Sequence, residues 1–187
     1  FTGYDLRECA ENLLAELLEE ELISDAVLPS SLAQTEALWR LRHSVSEANK
    51  AEGISVSHDT AVPLTAQAHF VRRTEERLHA KYPDAPVLMV GHIGDGNIHA
   101  VVILDRERYT DRDVMMAAIG EINAIVDDVV SELGGTVSAE HGIGQSNKAR
   151  LLRGRGIRDI ELMQTIKTAI DPQWLFNPGK LFKETPI

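Results

Sequence analysis

Two short apolar runs flank a glycine-rich segment in the middle of the chain, and this arrangement constrains the fold most. Residues 87–90 and 101–104 are rich in valine, isoleucine and leucine and have the length of buried strands. Asp95-Gly96 lies between them, and an Asp-Gly pair is a strong hairpin signal because its turn needs positive φ. Since a tight hairpin joins antiparallel strands, the sequence excludes an all-parallel sheet.

Helix and strand patterns alternate along the rest of the chain. Further strands are predicted at 25–28, 56–62 and 136–144. Apolar residues at helical spacing predict helices from about residue 6 to 18 and at 31–49, 65–81, 112–133 and 158–170. We therefore predict an α+β fold, with helices packed on one side of an antiparallel sheet. A doubled split β-α-β arrangement would make it ferredoxin-like.

Composition excludes several classes of protein. The chain has 187 residues and a net charge of -10, so as a whole it would repel nucleic acid, and we expect no nucleic-acid partner. A basic patch between residues 148 and 158 would allow only local recognition of phosphate. The single cysteine excludes an intrachain disulfide and a cysteine-rich zinc module. No apolar run approaches the ~20 residues of a membrane span.

Two histidines flank the Asp-Gly turn. If Asp95-Gly96 is a two-residue loop, His92 pairs directly with His99, and both side chains point to the same face of the sheet. Two imidazoles in that position could bind one divalent ion. The alternative is a hairpin that carries two polar residues on its wetter face, and the spacing alone does not decide between them.

A second pair of ionisable residues, Glu140 and His141, lies in the strand predicted at 136–144 and is followed by Gly142. Glu140 could complete a His-His-Glu set of metal ligands, which leaves coordination positions open for a substrate. His141 could then act as a base, because an imidazole accepts protons near neutral pH. The alternative is that Glu140 and His141 form a surface ion pair.

Three motifs in order resemble one family. They are Gly-His-Ile-Gly-Asp-Gly-Asn-Ile-His (91–99), Ser-Ala-Glu-His-Gly-Ile-Gly (138–144) and Ala-Ile-Asp-Pro…Phe-Asn-Pro-Gly-Lys (169–180). The chain resembles the C-terminal domain of FAD-linked oxidases of the vanillyl-alcohol oxidase type, in the D-2-hydroxyacid dehydrogenase branch (D-lactate, D-2-hydroxyglutarate, glycolate). Leu-Trp-Arg-Leu-Arg (38–42) and His-Asp-Thr-Ala-Val-Pro (58–63) also match, so the resemblance covers nearly the whole chain.

The resemblance implies roles for individual residues. It implies that His92, His99 and Glu140 bind a divalent metal, Zn or Mn, and that His141 is the base. It implies that Arg42, Ser46 and Ser57 bind the substrate. In the tail, Asn177 and Lys180 would face the flavin.

The resemblance also implies an activity and a setting. The enzyme would oxidise a D-2-hydroxy acid to the 2-oxo acid, with the hydride passing to FAD. No glycine-rich phosphate cradle opens a helix in the first half of the chain, so residues 1–187 are predicted to be the substrate or cap domain alone. We expect an N-terminal FAD-binding domain and an electron acceptor as partners, a possible homodimer, and a cytoplasmic or membrane-peripheral location in a bacterium.

Two departures from the family pattern bear on the substrate. Relatives that take a dicarboxylate often carry lysine where this chain has Ser57, and a polar residue where it has Val101. The loss of a cation and of a polar contact argues against a second substrate carboxylate. A smaller or more apolar 2-hydroxy acid is therefore expected.

Two other functions compete with this interpretation. The first is a stand-alone metal-dependent hydrolase or lyase that uses the same His-His-Glu site with a metal-bound water. The second is a non-catalytic α+β module whose histidines are structural. The Asn-Pro-Gly-Lys tail separates the dehydrogenase from the hydrolase, because it fits a flavin-facing terminus and has no role in hydrolysis. Metal content separates both enzymes from the structural module.

Overall fold

The computed structural model describes residues 3–92 and 94–182. They divide between Ala48 and Asn49 into two compact units. The first unit contains α1 (Leu6–Glu19) and most of α2 (Leu32–Glu52). Asp5 caps α1, since its carboxylate accepts hydrogen bonds from two backbone amides of the first turn. The predicted strand at 25–28 is wrong, because this segment is irregular.

The second unit contains a four-stranded antiparallel sheet. Its strands are β1 (Ile54–Ser57), β2 (Thr60–Ala61), β3 (Val87–His92) and β4 (Asn97–Leu104). The central strand is β4, with β3 on one side and β1 and β2 on the other. The helices are α3 (Gln67–Lys81), α4 (Arg112–Glu132), α5 (Lys148–Gly154) and α6 (Ile157–Ile170).

The predicted fold class is confirmed. The elements follow the order β-α-β-β-α-β if β1 and β2 count as one interrupted strand and the Thr136 region supplies the last. Thr136 forms an isolated antiparallel bridge with Ala61, beside the strand that pairs with β4. This is the order of a ferredoxin-like sheet. The predicted strand at 136–144 is otherwise wrong, because the residues after Thr136 form turns.

The main core lies on one face of the sheet. Alternate residues of β4 point into it, among them Ala100, Val102 and Leu104. Phe70 of α3 and Ile122 of α4 belong to the same cluster, so both helices cover this face, as predicted. None of the helices in the described part of the chain has the length and apolar character needed to cross a bilayer.

The predicted hairpin register is wrong, although the hairpin itself is present. His92 pairs with Asn97, and His99 pairs with Val90, so the connection is longer than two residues, and residues 94–96 within it form a turn. A tertiary contact explains the difference: the Val62 amide donates to the Gly96 carbonyl over 3.1 Å. Gly96 has φ +84°, and a Cβ there would lie 2.2 Å from the Val62 oxygen. The Asp-Gly pair is therefore held by a neighbouring segment and does not act as a free two-residue turn.

The strand predicted at 56–62 is interrupted at His58 and Asp59. The His58 side chain is buried, and its Nδ1 lies 2.8 Å from the carbonyl oxygen of Ala100 on β4. Its backbone amide donates to the same oxygen over 3.0 Å. At this interruption the His58 side chain points into the core. The Asp59 side chain points to the other face of the sheet, where His99 lies.

The burial of His58 predicts a loss of stability in acid. Desolvation lowers the pKa of His58 to about 4, against the raising effect of its bond to the Ala100 carbonyl. A histidine in an unfolded chain has a pKa near 6.5. Between pH 6.5 and about 4, His58 is therefore protonated in the unfolded state but stays neutral in the folded state. The stabilisation is fully present above pH 6.5 and is lost as the pH falls towards 4. We expect a loss of about 3 kcal/mol in unfolding free energy from this group.

Urea unfolding of the metal-free protein across pH 4 to 7 measures this effect. Removing metal beforehand excludes acid release of a bound ion as the cause. His58→Gln, which keeps a side-chain donor for the Ala100 carbonyl, should flatten the pH dependence between 4 and 6.5. An equally steep dependence in His58→Gln would assign it to another group.

Candidate metal and substrate site

Three predicted ligands converge near the turn end of the hairpin. His92 is the last residue of β3, and His99 lies on β4 opposite Val90. Because His92 follows Val90 by two residues, both imidazoles lie on the same face as diagonal neighbours, within reach of long side chains. The register prediction was wrong, yet the shift by two residues preserves the shared face.

Glu140 joins the two histidines from the turn that follows Thr136. One ligand atom from each of His92, His99 and Glu140 lies within 4.8 Å of the other two. His92 Nε2 is 3.3 Å from Glu140 Oε1. Atoms bound to one ion at about 2.0–2.2 Å are at most about 4.4 Å apart, and are closer together when the coordination is tetrahedral, so the three side chains must move inwards to bind one ion. His92 and Glu140 are exposed and free to rotate inwards, so this nitrogen and oxygen donor set fits a divalent ion.

His141 lies beside this cluster. Its ring stacks on that of His99, with centroids 5.6 Å apart and an interplanar angle of 12°. Its Nε2 is 3.9 Å from Glu140 Oε2, so this nitrogen lies on the side of the predicted ligands. The side chain is 67 % exposed, which makes it accessible to a substrate.

Asp59 is a residue of this site that the sequence analysis missed. Its carboxylate accepts backbone hydrogen bonds from three consecutive residues of the ligand loop, Ala139, Glu140 and His141. Burial raises the pKa of Asp59, but the amides of His141 and Glu140, the charge of His141 and a bond from Asn97 outweigh it, so the pKa is lowered. The signal was present, since Asp59 lies in the matched His-Asp-Thr-Ala-Val-Pro motif, but only the fold reveals its partners.

Ser57 lies next to the same face of the hairpin. It is the direct antiparallel partner of Val101, which follows His99 by two residues on β4. Side chains two residues apart on a strand share a face, so Ser57 and Val101 lie on the side of the sheet that carries His99. The two positions that depart from the dicarboxylate pattern are thus neighbours in space.

Comparison with known proteins identifies the family. The family described as FAD linked oxidases, C-terminal domain, matches residues 1–181, across both compact units. The chain belongs to this family.

Curated relatives of this FAD-linked oxidase C-terminal domain are dehydrogenases. It is 38 % identical to a D-2-hydroxyglutarate dehydrogenase of Xanthomonas citri pv. viticola, over 89 % of this chain and 34 % of the relative. It is 31 % identical to a D-2-hydroxyglutarate dehydrogenase of Stutzerimonas stutzeri, over 94 % and 38 %. A putative mitochondrial D-lactate dehydrogenase of Schizosaccharomyces pombe is 33 % identical, over 90 % and 32 %. The chain thus spans about a third of the length of these relatives.

The remaining predicted site residues of the FAD-linked oxidase domain lie outside the His-His-Glu cluster. Arg42 and Ser46 lie one turn apart on one face of α2, within the first unit. Asn177 and Lys180 are exposed residues of the segment after α6, where Lys180 Nζ donates to the Gln145 side chain over 3.2 Å. Their roles towards substrate and flavin stay predictions.

Proposed function

We propose that this domain forms the substrate side of an FAD-dependent dehydrogenase that oxidises a D-2-hydroxy acid to the 2-oxo acid. The observation that carries the proposal is the convergence of His92, His99, Glu140 and His141 on one face of the hairpin, in a domain of this family. The names of the relatives, D-2-hydroxyglutarate and D-lactate dehydrogenases, support the substrate class. Family membership favours an oxidoreductase over the stand-alone hydrolase.

His92, His99 and Glu140 would hold a divalent metal, Zn or Mn. Two nitrogens and a carboxylate oxygen suit either ion and leave coordination positions open. When bound, the ion would supply Lewis acidity to the hydroxyl and carboxylate oxygens of the substrate. Exposure of His92 and Glu140 keeps the approach to this position open.

His141 would act as the base. Its Nε2 faces the ligand cluster, so it can take the proton of a hydroxyl group presented there. Oxidation at C2 balances when the hydroxyl proton goes to His141 and C2 transfers its hydrogen with two electrons. FAD, held mainly by an N-terminal domain of the whole protein, supplies the acceptor for that hydride.

The other predicted groups would complete the site in the whole protein. Arg42, with Ser46 one turn further along α2, would bind the substrate carboxylate, since a guanidinium matches that group in two parallel hydrogen bonds. Asn177 and Lys180 would face the flavin. We expect the isolated domain neither to bind FAD tightly nor to turn over substrate. An electron acceptor would reoxidise the flavin, and the homodimer stays a prediction.

We further propose that the substrate is smaller or more apolar than a dicarboxylate. Ser57 and Val101 are paired beside His99, and neither supplies a positive charge. A second carboxylate placed there would lose solvation without gaining an ionic partner. D-lactate meets this condition and D-2-hydroxyglutarate does not.

Kinetics on the full-length protein test the proposed reaction and its specificity together. Reduction of the flavin by a D-2-hydroxy acid tests the reaction, and we expect kcat/KM to be higher for D-lactate than for D-2-hydroxyglutarate. Ser57→Lys should shift that ratio towards D-2-hydroxyglutarate by about 10- to 100-fold, the value of one charge-assisted hydrogen bond.

Ala80→Lys is the matched control for this substitution. It adds the same charge on the exposed surface of α3 and should leave the substrate ratio unchanged. A preference of the unmodified protein for D-2-hydroxyglutarate would overturn the specificity proposal while leaving the reaction class intact. Absence of flavin reduction by any D-2-hydroxy acid would overturn the reaction class.

A further inference from the structure

We propose that Asp59 is the positioning residue of this site: it holds Glu140 and His141 in place and favours a proton on the Nδ1 atoms of His99 and His141. The inference rests on the proposed function, because it assigns a role to Asp59 within the same metal site. Asp59 would touch neither the metal nor the substrate and would act through the residues that do.

The first argument is the contact of Asp59 with the ligand loop. Its Oδ2 accepts hydrogen bonds from the amides of Ala139 (3.1 Å), Glu140 (3.0 Å) and His141 (2.8 Å). Three consecutive amides directed at one carboxylate oxygen fix the backbone of this turn. Glu140 comes from this turn and not from the sheet, so its place beside the two histidines depends on these bonds.

The second argument is the contact of Asp59 with the hairpin. Asn97 Nδ2 donates to Asp59 Oδ1 over 3.2 Å and to the Thr60 carbonyl over 3.1 Å. Asn97 is buried at the start of β4, two residues before His99. Asp59 therefore connects the strand that carries one predicted ligand to the loop that carries another. A residue that only capped a turn would not need this second connection.

The third argument is the position of the carboxylate between two histidine rings. Oδ1 lies 3.9 Å from His99 Nδ1, and Oδ2 lies 3.8 Å from His141 Nδ1. Both distances exceed the hydrogen-bond limit, so the carboxylate acts on the two rings through its negative charge. A negative charge there favours a proton on each Nδ1, which leaves each Nε2 with its lone pair. Nε2 of His99 is then available to a metal and Nε2 of His141 to a proton.

Metal affinity of the Asp59→Asn variant is the test. An asparagine in this place has one oxygen for the loop amides, and its NH2 group meets donors in Asn97 or the loop. We expect the affinity for Zn²⁺ to fall by about 10- to 100-fold, as for other residues that support metal ligands. Titration of the chelator-treated, full-length protein with Zn²⁺ against a chromophoric chelator measures this without relying on turnover.

Asp171→Asn is the matched control. Asp171 is a buried aspartate that accepts hydrogen bonds from the backbone amides of Leu175 and Phe176, neither of which belongs to the metal cluster. The Asp171→Asn substitution should lower the thermal stability of the protein without changing its affinity for Zn²⁺. His99→Ala, which removes a predicted ligand, should abolish tight Zn²⁺ binding.

A second measurement uses the unmodified protein and so does not depend on how the variant folds. In metal-free protein with ¹⁵N-labelled histidine, NMR should show neutral His99 and His141 protonated at Nδ1. A proton on Nε2 of these two histidines would overturn the proposal. It would also be overturned if Asp59→Asn bound Zn²⁺ with wild-type affinity and His99→Ala did not bind it. If the unmodified protein and His99→Ala both fail to bind Zn²⁺, it is the proposed metal site that fails.

Discussion

Replacing His141 with asparagine should lower kcat of the full-length protein by about 10²- to 10⁴-fold, the usual contribution of a positioned base. Asparagine keeps a side-chain donor near the place of Nδ1, 3.8 Å from Asp59, and removes the nitrogen that faces the ligand cluster. The substitution therefore takes away the proton acceptor and leaves the neighbouring groups in place. We expect the metal content and the KM for substrate to change little.

Stopped-flow reduction of the flavin by D-lactate measures this effect on the chemical step. His79→Asn is a matched control, since His79 is an exposed histidine in the last turn of α3. It should react at the wild-type rate. If His141→Asn reduced its flavin within a few-fold of the wild-type rate, His141 would not be the base.

Replacing Arg150 with methionine should lower the unfolding free energy by about 3–5 kcal/mol, because it leaves a buried carboxylate without its partner. Arg150 Nε lies 3.1 and 3.0 Å from the two oxygens of Asp127, and Nη2 lies 2.6 Å from Oδ1. Both side chains are nearly buried, at 11 % and 6 % exposure. This pair joins α5 to α4.

The neighbouring pair provides the control. Arg153 contacts Asp128 from the same two helices, but both side chains are half exposed, so Arg153→Met should cost less than about 1 kcal/mol. Urea denaturation at pH 7 measures both variants. Equal losses in the two variants would show that the burial of the Arg150 pair does not determine its contribution. Asp127→Leu combined with Arg150→Met should recover most of the loss, because it removes the unpaired charge.

The elements that depend on local pattern could be predicted from the sequence. Apolar periodicity placed α3, α4 and α6 to within one or two residues, and the valine-rich runs gave β3 and β4. The register could not be predicted, because it depends on the contact of Gly96 with Val62, which is 34 residues away in the chain. The interruption of the strand at His58 and Asp59 could not be predicted either. It depends on distant contacts, of His58 with Ala100 in the core and of Asp59 with the loop at 139–141.

In the candidate site, too, local motifs could be predicted from the sequence and contacts between distant residues could not. The glycine-flanked histidines and Glu140 were visible as motifs, and the fold brings them together. Asp59 lies in a matched motif, but its role could not be predicted, because its partners lie about 40 and 80 residues further along the chain. The pairing of the basic patch at 148–158 was also not predictable from the sequence. Arg150 and Arg153 have aspartate partners on α4, so these two cations are not free to bind phosphate.

The metal content of the purified full-length protein, measured beside His99→Ala, tests the central claim most directly. His99 lies on the central strand and is mostly buried, so its loss removes a ligand without exposing the hairpin core. We predict about one divalent ion per chain in the unmodified protein, and none in the variant. Absence of metal from both, or full retention in His99→Ala, would contradict the assignment of His92, His99 and Glu140 as a metal site.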